Sequence, residues 1–105
     1  MEKIKIELPD YKGYKNFIYK ISYSPFMNQE WYCGYAVLPD SHILYNAESE
    51  FDRRIIDIDV HGGVTYMKNH IIGFDCNHYE DDIETCNKEF VISEIHKMID
   101  HLIEM

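Results

Sequence analysis

Cysteine, proline and basic residues are all scarce in this chain, and each shortage narrows what it can be. Its three cysteines, Cys33, Cys76 and Cys86, are odd in number and contain no Cys-x-x-Cys pair. That argues against a disulfide framework and against a conventional zinc ribbon or finger, and leaves free thiols or a single metal ligand. Ten Lys and Arg against nineteen Asp and Glu give a net charge of −9. Binding to a phosphate backbone depends on cations that neutralise phosphates and release counterions, so direct nucleic-acid binding is not expected and a basic protein partner fits better. No window approaches the roughly 18 consecutive apolar residues of a membrane span. The opening Met-Glu-Lys-Ile-Lys-Ile-Glu lacks the apolar core and small-residue cleavage site of a secretory signal, so a soluble cytoplasmic protein is expected. No Gly-rich phosphate loop stands at a strand-to-helix junction, which argues against a nucleotide fold. At 105 residues the expectation is one domain, 1–105, with one core and one site.

What is present has clear periodicity. Ile4, Ile6 and Leu8 alternate with charged residues before Pro9-Asp10, as in an edge strand or ordered arm. Phe17, Tyr19, Ile21 and Tyr23 alternate with polar residues in a half-buried strand that Ser24-Pro25 ends. A polar connection around Asn28-Gln29-Glu30 leads to an antiparallel partner, Trp31 to Leu38. Residues 41–53 have no period and read as a loop. Over 54–61, Ile56, Ile58 and Val60 fall on one side and Asp57, Asp59 and His61 on the other, which predicts a strand. Gly62-Gly63 would supply a hairpin turn into Val64-Thr65-Tyr66, and Ile71 to Phe74 a further strand. From Asn87, a candidate N-cap, Val91, Ile95, Met98, Ile99 and Leu102 recur at helical spacing, with Ser93, Glu94 and Lys97 opposite. The sum is an α+β domain: a mainly antiparallel sheet of four to five strands with one long C-terminal amphipathic helix packed on it. The tyrosines and Trp31 read as core and interface material, because no basic stripe accompanies them as a base-stacking surface would need.

The chemistry gathers at strand ends. His61 stands before Gly62-Gly63, and Asp75 and His78 stand three apart after the last strand. Zinc takes four ligands from imidazole, thiolate and carboxylate, so these three need a fourth, His42 or Cys76. His42 is preferred, since adjacent strand residues Asp75 and Cys76 point to opposite faces and Cys76 would then lie in the core beside Phe74. Calcium fits less well, because the Asp75 segment lacks the glycine a calcium loop needs at its sixth position. With three protein ligands the ion would keep a place for water, and Asp57 or Asp59 could act as base in a small metal-dependent hydrolase. With four, the ion is structural and the protein need not be an enzyme. His70, His96 and His101 read as incidental surface residues, and Cys33, inside an apolar strand, as an inert thiol.

Four blocks carry a resemblance: Trp31-Tyr-Cys-Gly-Tyr, Ser41-His42, Asp59-Val-His-Gly-Gly-Val-Thr-Tyr, and Gly73-Phe-Asp-Cys-Asn-His with Asp81 beyond. In order and spacing they resemble a group of small phage-encoded proteins that includes a zinc-containing anti-CRISPR inhibitor of a type II-A Cas9. The resemblance covers residues 16–82 and places His42, His61, Asp75 and His78 in recurring blocks. Where the group often has a proline after the first histidine, this chain has Ile43. It implies a non-enzymatic inhibitor with a structural zinc, working in the cytoplasm of a bacterial host. Such a protein would use an acidic surface to cover a nucleic-acid-binding surface of Cas9. Glu80, Asp81, Asp82 and Glu84, dense in one connection, are the expected contacts.

Overall fold

The computed structural model describes residues 1–24, 29–78 and 81–105. Five strands form one antiparallel sheet: β1 (Glu2–Tyr11), β2 (Tyr14–Tyr23), β3 (Gln29–Val37), β4 (Tyr66–Lys68) and β5 (Ile71–Asp75), in the order β1-β2-β3-β5-β4. One helix, α1 (Lys88–Ile103), lies across β2 and β3. The architecture is therefore the α+β arrangement that the periodicity implies. Among the described residues no helix is long and apolar enough to cross a membrane.

Alternation places Ile18, Ala36, Ile72 and Phe74 on the face that meets α1, where they are buried against Val91, Ile95, Met98, Ile99 and Leu102. Gly34 sets how closely the layers approach. A Cβ there would stand 2.7 Å from Phe74 Cζ and 2.8 Å from Ile95 Cγ1, so only glycine leaves room for both side chains. Asn87 caps the helix as expected, its Oδ1 accepting the Phe90 amide at 2.9 Å. The opposite face of the sheet carries aromatic residues: Phe17 and Tyr35 stack with ring centres 5.0 Å apart, and Tyr19 and Tyr66 meet Tyr35 edge-on.

Four local expectations are corrected. Residues 54–60 are not a strand. Asp52 accepts the Arg54 amide and its guanidinium, and the Ile55 and Ile58 amides donate to the carbonyls of Asp52 and Ile55. These three-residue turns bury Ile55 and Ile58 and leave Ile56 68% exposed, so the apolar period here is three rather than two. The hairpin is also elsewhere. Gly62 and Gly63 both have positive φ, and the Gly63 amide donates to the Val60 carbonyl, but this turn leads only to Thr65, whose amide reaches Gly73. The tight connection between β4 and β5 is Asn69-His70, with φ of 54° and 67°. His70 is far from incidental: its Nδ1 lies 2.7 Å from the Tyr45 carbonyl and its ring stacks on Tyr45 at 3.7 Å. Finally, Gln29 and Glu30 belong to β3 rather than to a loop, while Asn28 lies outside the described residues.

Candidate metal centre

The end of β5 directs neighbouring side chains to opposite sides. Asp75 pairs with Cys33 on the aromatic face, whereas Cys76, its amide still bonded to the Tyr32 carbonyl, turns into the interior. The interior at that corner is occupied by the approach to α1, where Cys86 is buried one residue before the N-cap. His61 arrives from the third side. Its backbone amide donates to Glu94 Oε1 at 2.8 Å, and its ring packs edge-on against Phe90. Glu94, expected on the solvent side of the helix, is in fact buried and fixes the His61 turn to it. His61, Cys76 and Cys86 thus place their ligand atoms within 4.8 Å of one another, a cluster able to hold a metal ion, and the expected ligands His61 and His78 form a second such set with Asp81.

Asp81 and His78 complete the surroundings. Asp81 Oδ1 accepts His61 Nε2–H at 2.9 Å, and Oδ2 accepts the His78 amide at 3.1 Å and its Nδ1–H at 2.9 Å. The Cys86 thiol donates to Asp81 Oδ1 at 3.4 Å and lies 3.7 Å from His61 Nε2. Burial alone would raise the Asp81 carboxyl, but these donors outweigh it and hold the group down at about 2. Burial pushes the Cys76 and Cys86 thiols upward, so neither is a thiolate without a cation beside it.

Zinc fits this donor set. Ordinary Zn–S and Zn–N lengths put sulfur and nitrogen or oxygen ligands about 3.5 Å apart in a tetrahedron. The 3.7 Å and 3.4 Å separations of Cys86 Sγ from His61 Nε2 and Asp81 Oδ1 are of that size. The 2.9 Å between His61 and Asp81 is the length of a hydrogen bond, which an ion between them would open slightly.

His42 does not join the cluster. It sits at the other end of α1, where its Nδ1 accepts the Leu44 amide at 3.0 Å and its Nε2–H donates to the Leu102 carbonyl at 2.8 Å. Both ring nitrogens are committed, and Glu94 and Leu102 are about two helical turns apart. The role of His42 is to satisfy a carbonyl at the helix C-terminus. Asp75 touches the site only through His78, Oδ1 to Nε2 at 3.8 Å, because it belongs to the wrong face of the sheet. His78 is packed against the Gly62 backbone: a Cβ on Gly62 would come within 2.3 Å of its ring. Asp57 and Asp59 are exposed, Asp59 lying 3.7 Å from Lys97, and neither belongs to the candidate clusters or lines the cleft beside them.

Of the acidic connection, Asp81 is not a solvated contact residue, since its side chain is only 8% exposed. Asp82 and Glu84 are exposed, Asp82 accepting the Glu84 and Thr85 amides, and Glu80 lies outside the described residues. Cys86 was missed as a candidate ligand. The available signal was an unassigned cysteine just before a helix N-cap, ten positions after Cys76. Cys33 behaves as expected: burial, with Asp75 beside it, raises its thiol to about 11.

An open cleft of about 450 Å³ adjoins the cluster, lined by Glu30, Trp31, Cys76, His78, Asp81 and Asp82 among others. Comparison with protein-family models, curated proteins and solved structures finds no match.

Proposed function

We propose that this chain is a non-enzymatic, zinc-braced inhibitor from a phage, acting on a type II-A Cas9 in the cytoplasm of the bacterial host. The observation that carries the metal is the convergence of His61, Cys76 and Cys86; Asp81, 3.4 Å from Cys86 Sγ and 2.9 Å from His61 Nε2, is the fourth ligand in this reading. These residues come from the 58–63 turns, the end of β5 and the entry to α1. One ion there adds a further tie between three segments, and its binding free energy becomes folding free energy. The support for Cas9 is the resemblance of the four sequence blocks and the charge. A field of −9 steers the protein toward a positive cleft and competes with nucleic acid there.

The contact surface in this reading is the exposed acidic rim, with Glu84 at its centre and Asp81 excluded as a ligand. Binding of purified type II-A Cas9, measured as salt is raised, together with a DNA-cleavage assay, tests the proposal. Binding should weaken with salt, since exposed charges are screened over about 8 Å at physiological ionic strength. Glu84→Lys should weaken inhibition while metal content stays at one zinc per chain. Absence of Cas9 binding by the unaltered protein removes this function.

The cleft beside the cluster favours a second reading, a small metal-dependent hydrolase, because a site open to solvent admits a substrate. Zinc would supply Lewis acidity there. His78, which borders the cleft, is the residue able to move a proton, in place of Asp57 or Asp59. Retention of Cas9 inhibition by His78→Gln, with zinc still bound, would favour the inhibitor over the hydrolase.

A further inference from the structure

The longest strand edge of this protein is bare. β1 is bonded to β2 on one side, and among the described residues no strand lies along its other side. An unpaired edge exposes a row of amides and carbonyls that other chains can pair with, and proteins usually blunt it with proline, bulges or outward-pointing lysines. Here Pro9 and an irregularity between Leu8 and Tyr11 interrupt the far end, but residues 2–8 run regularly, from Glu2 opposite Ser22 to Leu8 opposite Asn16. The lysines do not project over the edge either. Lys3 lies over the Tyr19 ring at 4.2 Å and Lys5 over Phe17 at 4.4 Å, both turned back across the sheet. On the other face Ile4 is 52% exposed beside the half-buried Ile6 and Leu8.

We propose that β1 joins two copies of this chain, antiparallel about Ile6, into one continuous sheet. The sequence Ile4-Lys5-Ile6-Glu7-Leu8 is complementary to itself in that register alone. With the two-fold axis on Ile6, Lys5 stands opposite the partner's Glu7, Ile4 opposite the partner's Leu8, and Ile6 opposite its own copy. Moving the axis to Lys5 sets two lysines face to face, and moving it to Glu7 sets two glutamates. An axis between residues opposes charged side chains to apolar ones. Opposite charges and apolar pairs directly across a strand pair stabilise it, and like charges there weaken it. The exposed Ile4 becomes covered, and the backbone of residues 4–8 gains partners on both sides. The interface shares no residue with the metal cluster, since β2 and β3 lie between β1 and the end of β5 where Cys76 stands.

The register can be tested by exchanging charges. In sedimentation or light-scattering measurements over rising protein concentration, the unaltered chain should reach twice the monomer mass. Lys5→Glu and Glu7→Lys should each weaken self-association about tenfold, because both symmetric pairs become like-charged. Mixed together they should restore it, since Glu at 5 then faces Lys at 7 and Lys at 5 faces Glu at 7. The in-strand Lys5–Glu7 ion pair, 3.1 Å long and exposed, is lost in both variants and contributes little to the fold, which circular dichroism would check. Amide exchange in residues 4–8 should slow on dimerisation. An unaltered chain that stays monomeric at every concentration, variants that associate as well as it does, or a mixture that fails to reassociate would each overturn the proposal.

Discussion

Replacing Cys86 by alanine separates a metal that holds the fold from one that merely visits it. Cys86 is 5% exposed, and its sulfur reaches Asp81 and His61 at 3.4 and 3.7 Å. In metal-free protein the loss is one buried atom's worth of packing, about 1 kcal/mol. At free zinc a hundredfold above Kd, a site present only in the folded state contributes about 2.7 kcal/mol. For a domain of this size that corresponds to a Tm difference of about 10–20 °C between zinc-loaded and chelated wild-type protein. Cys86→Ala should sit about 4–8 °C below wild type when both are chelated, and should show almost none of the zinc-dependent rise. Scanning calorimetry of the two proteins, each with and without chelator, and elemental analysis of every sample give the four values needed. A Cys86→Ala protein that keeps the full zinc-dependent shift would refute the assignment of Cys86 as a ligand. A wild-type Tm unmoved by verified removal of the ion would refute a structural metal.

The other outcomes expected follow from single contacts. His42→Ala should leave zinc content unchanged and cost about 1–3 kcal/mol in denaturant unfolding, because the Leu102 carbonyl and Leu44 amide lose their partner. Gly62→Ala forces a side chain into a backbone with φ of 69° and into the His78 ring, so it should lower stability by at least about 1 kcal/mol. In the metal-free protein the Asp81 carboxyl is held at about 2, below its ordinary 3.8. Its stabilising contribution, roughly 2 kcal/mol, is therefore complete above the unfolded value and lost as pH falls through the folded one, and Asp81→Asn should flatten that acid limb in pH-dependent unfolding. Zinc binding should release protons from the Cys76 and Cys86 thiols, which burial keeps neutral without the ion. Calorimetric binding enthalpies that do not vary with the ionisation enthalpy of the buffer would contradict thiolate ligation.

The sequence by itself determined the fold class, because alternation in β2 and β3 and the helical spacing from Val91 to Leu102 are local patterns set by which faces must be buried. The Asn87 cap was legible for the same reason. The segment 54–60 was not: its isoleucines fit a period of two on paper, and only the Asp52–Arg54 grip and the turns it starts made the period three. The metal cluster was half legible. That Asp75 and Cys76 face opposite ways follows from strand geometry, but which of the two faces the site depends on where α1 lies, a long-range choice. Placing α1 across β2 and β3 brought Cys86 and Glu94 to His61 at one end of the helix and carried His42 to Leu102 at the other. Asp81 was read as a surface charge because charge density marks solvent exposure on average. Only packed against two imidazoles and a thiol does a carboxylate stay ionised out of water.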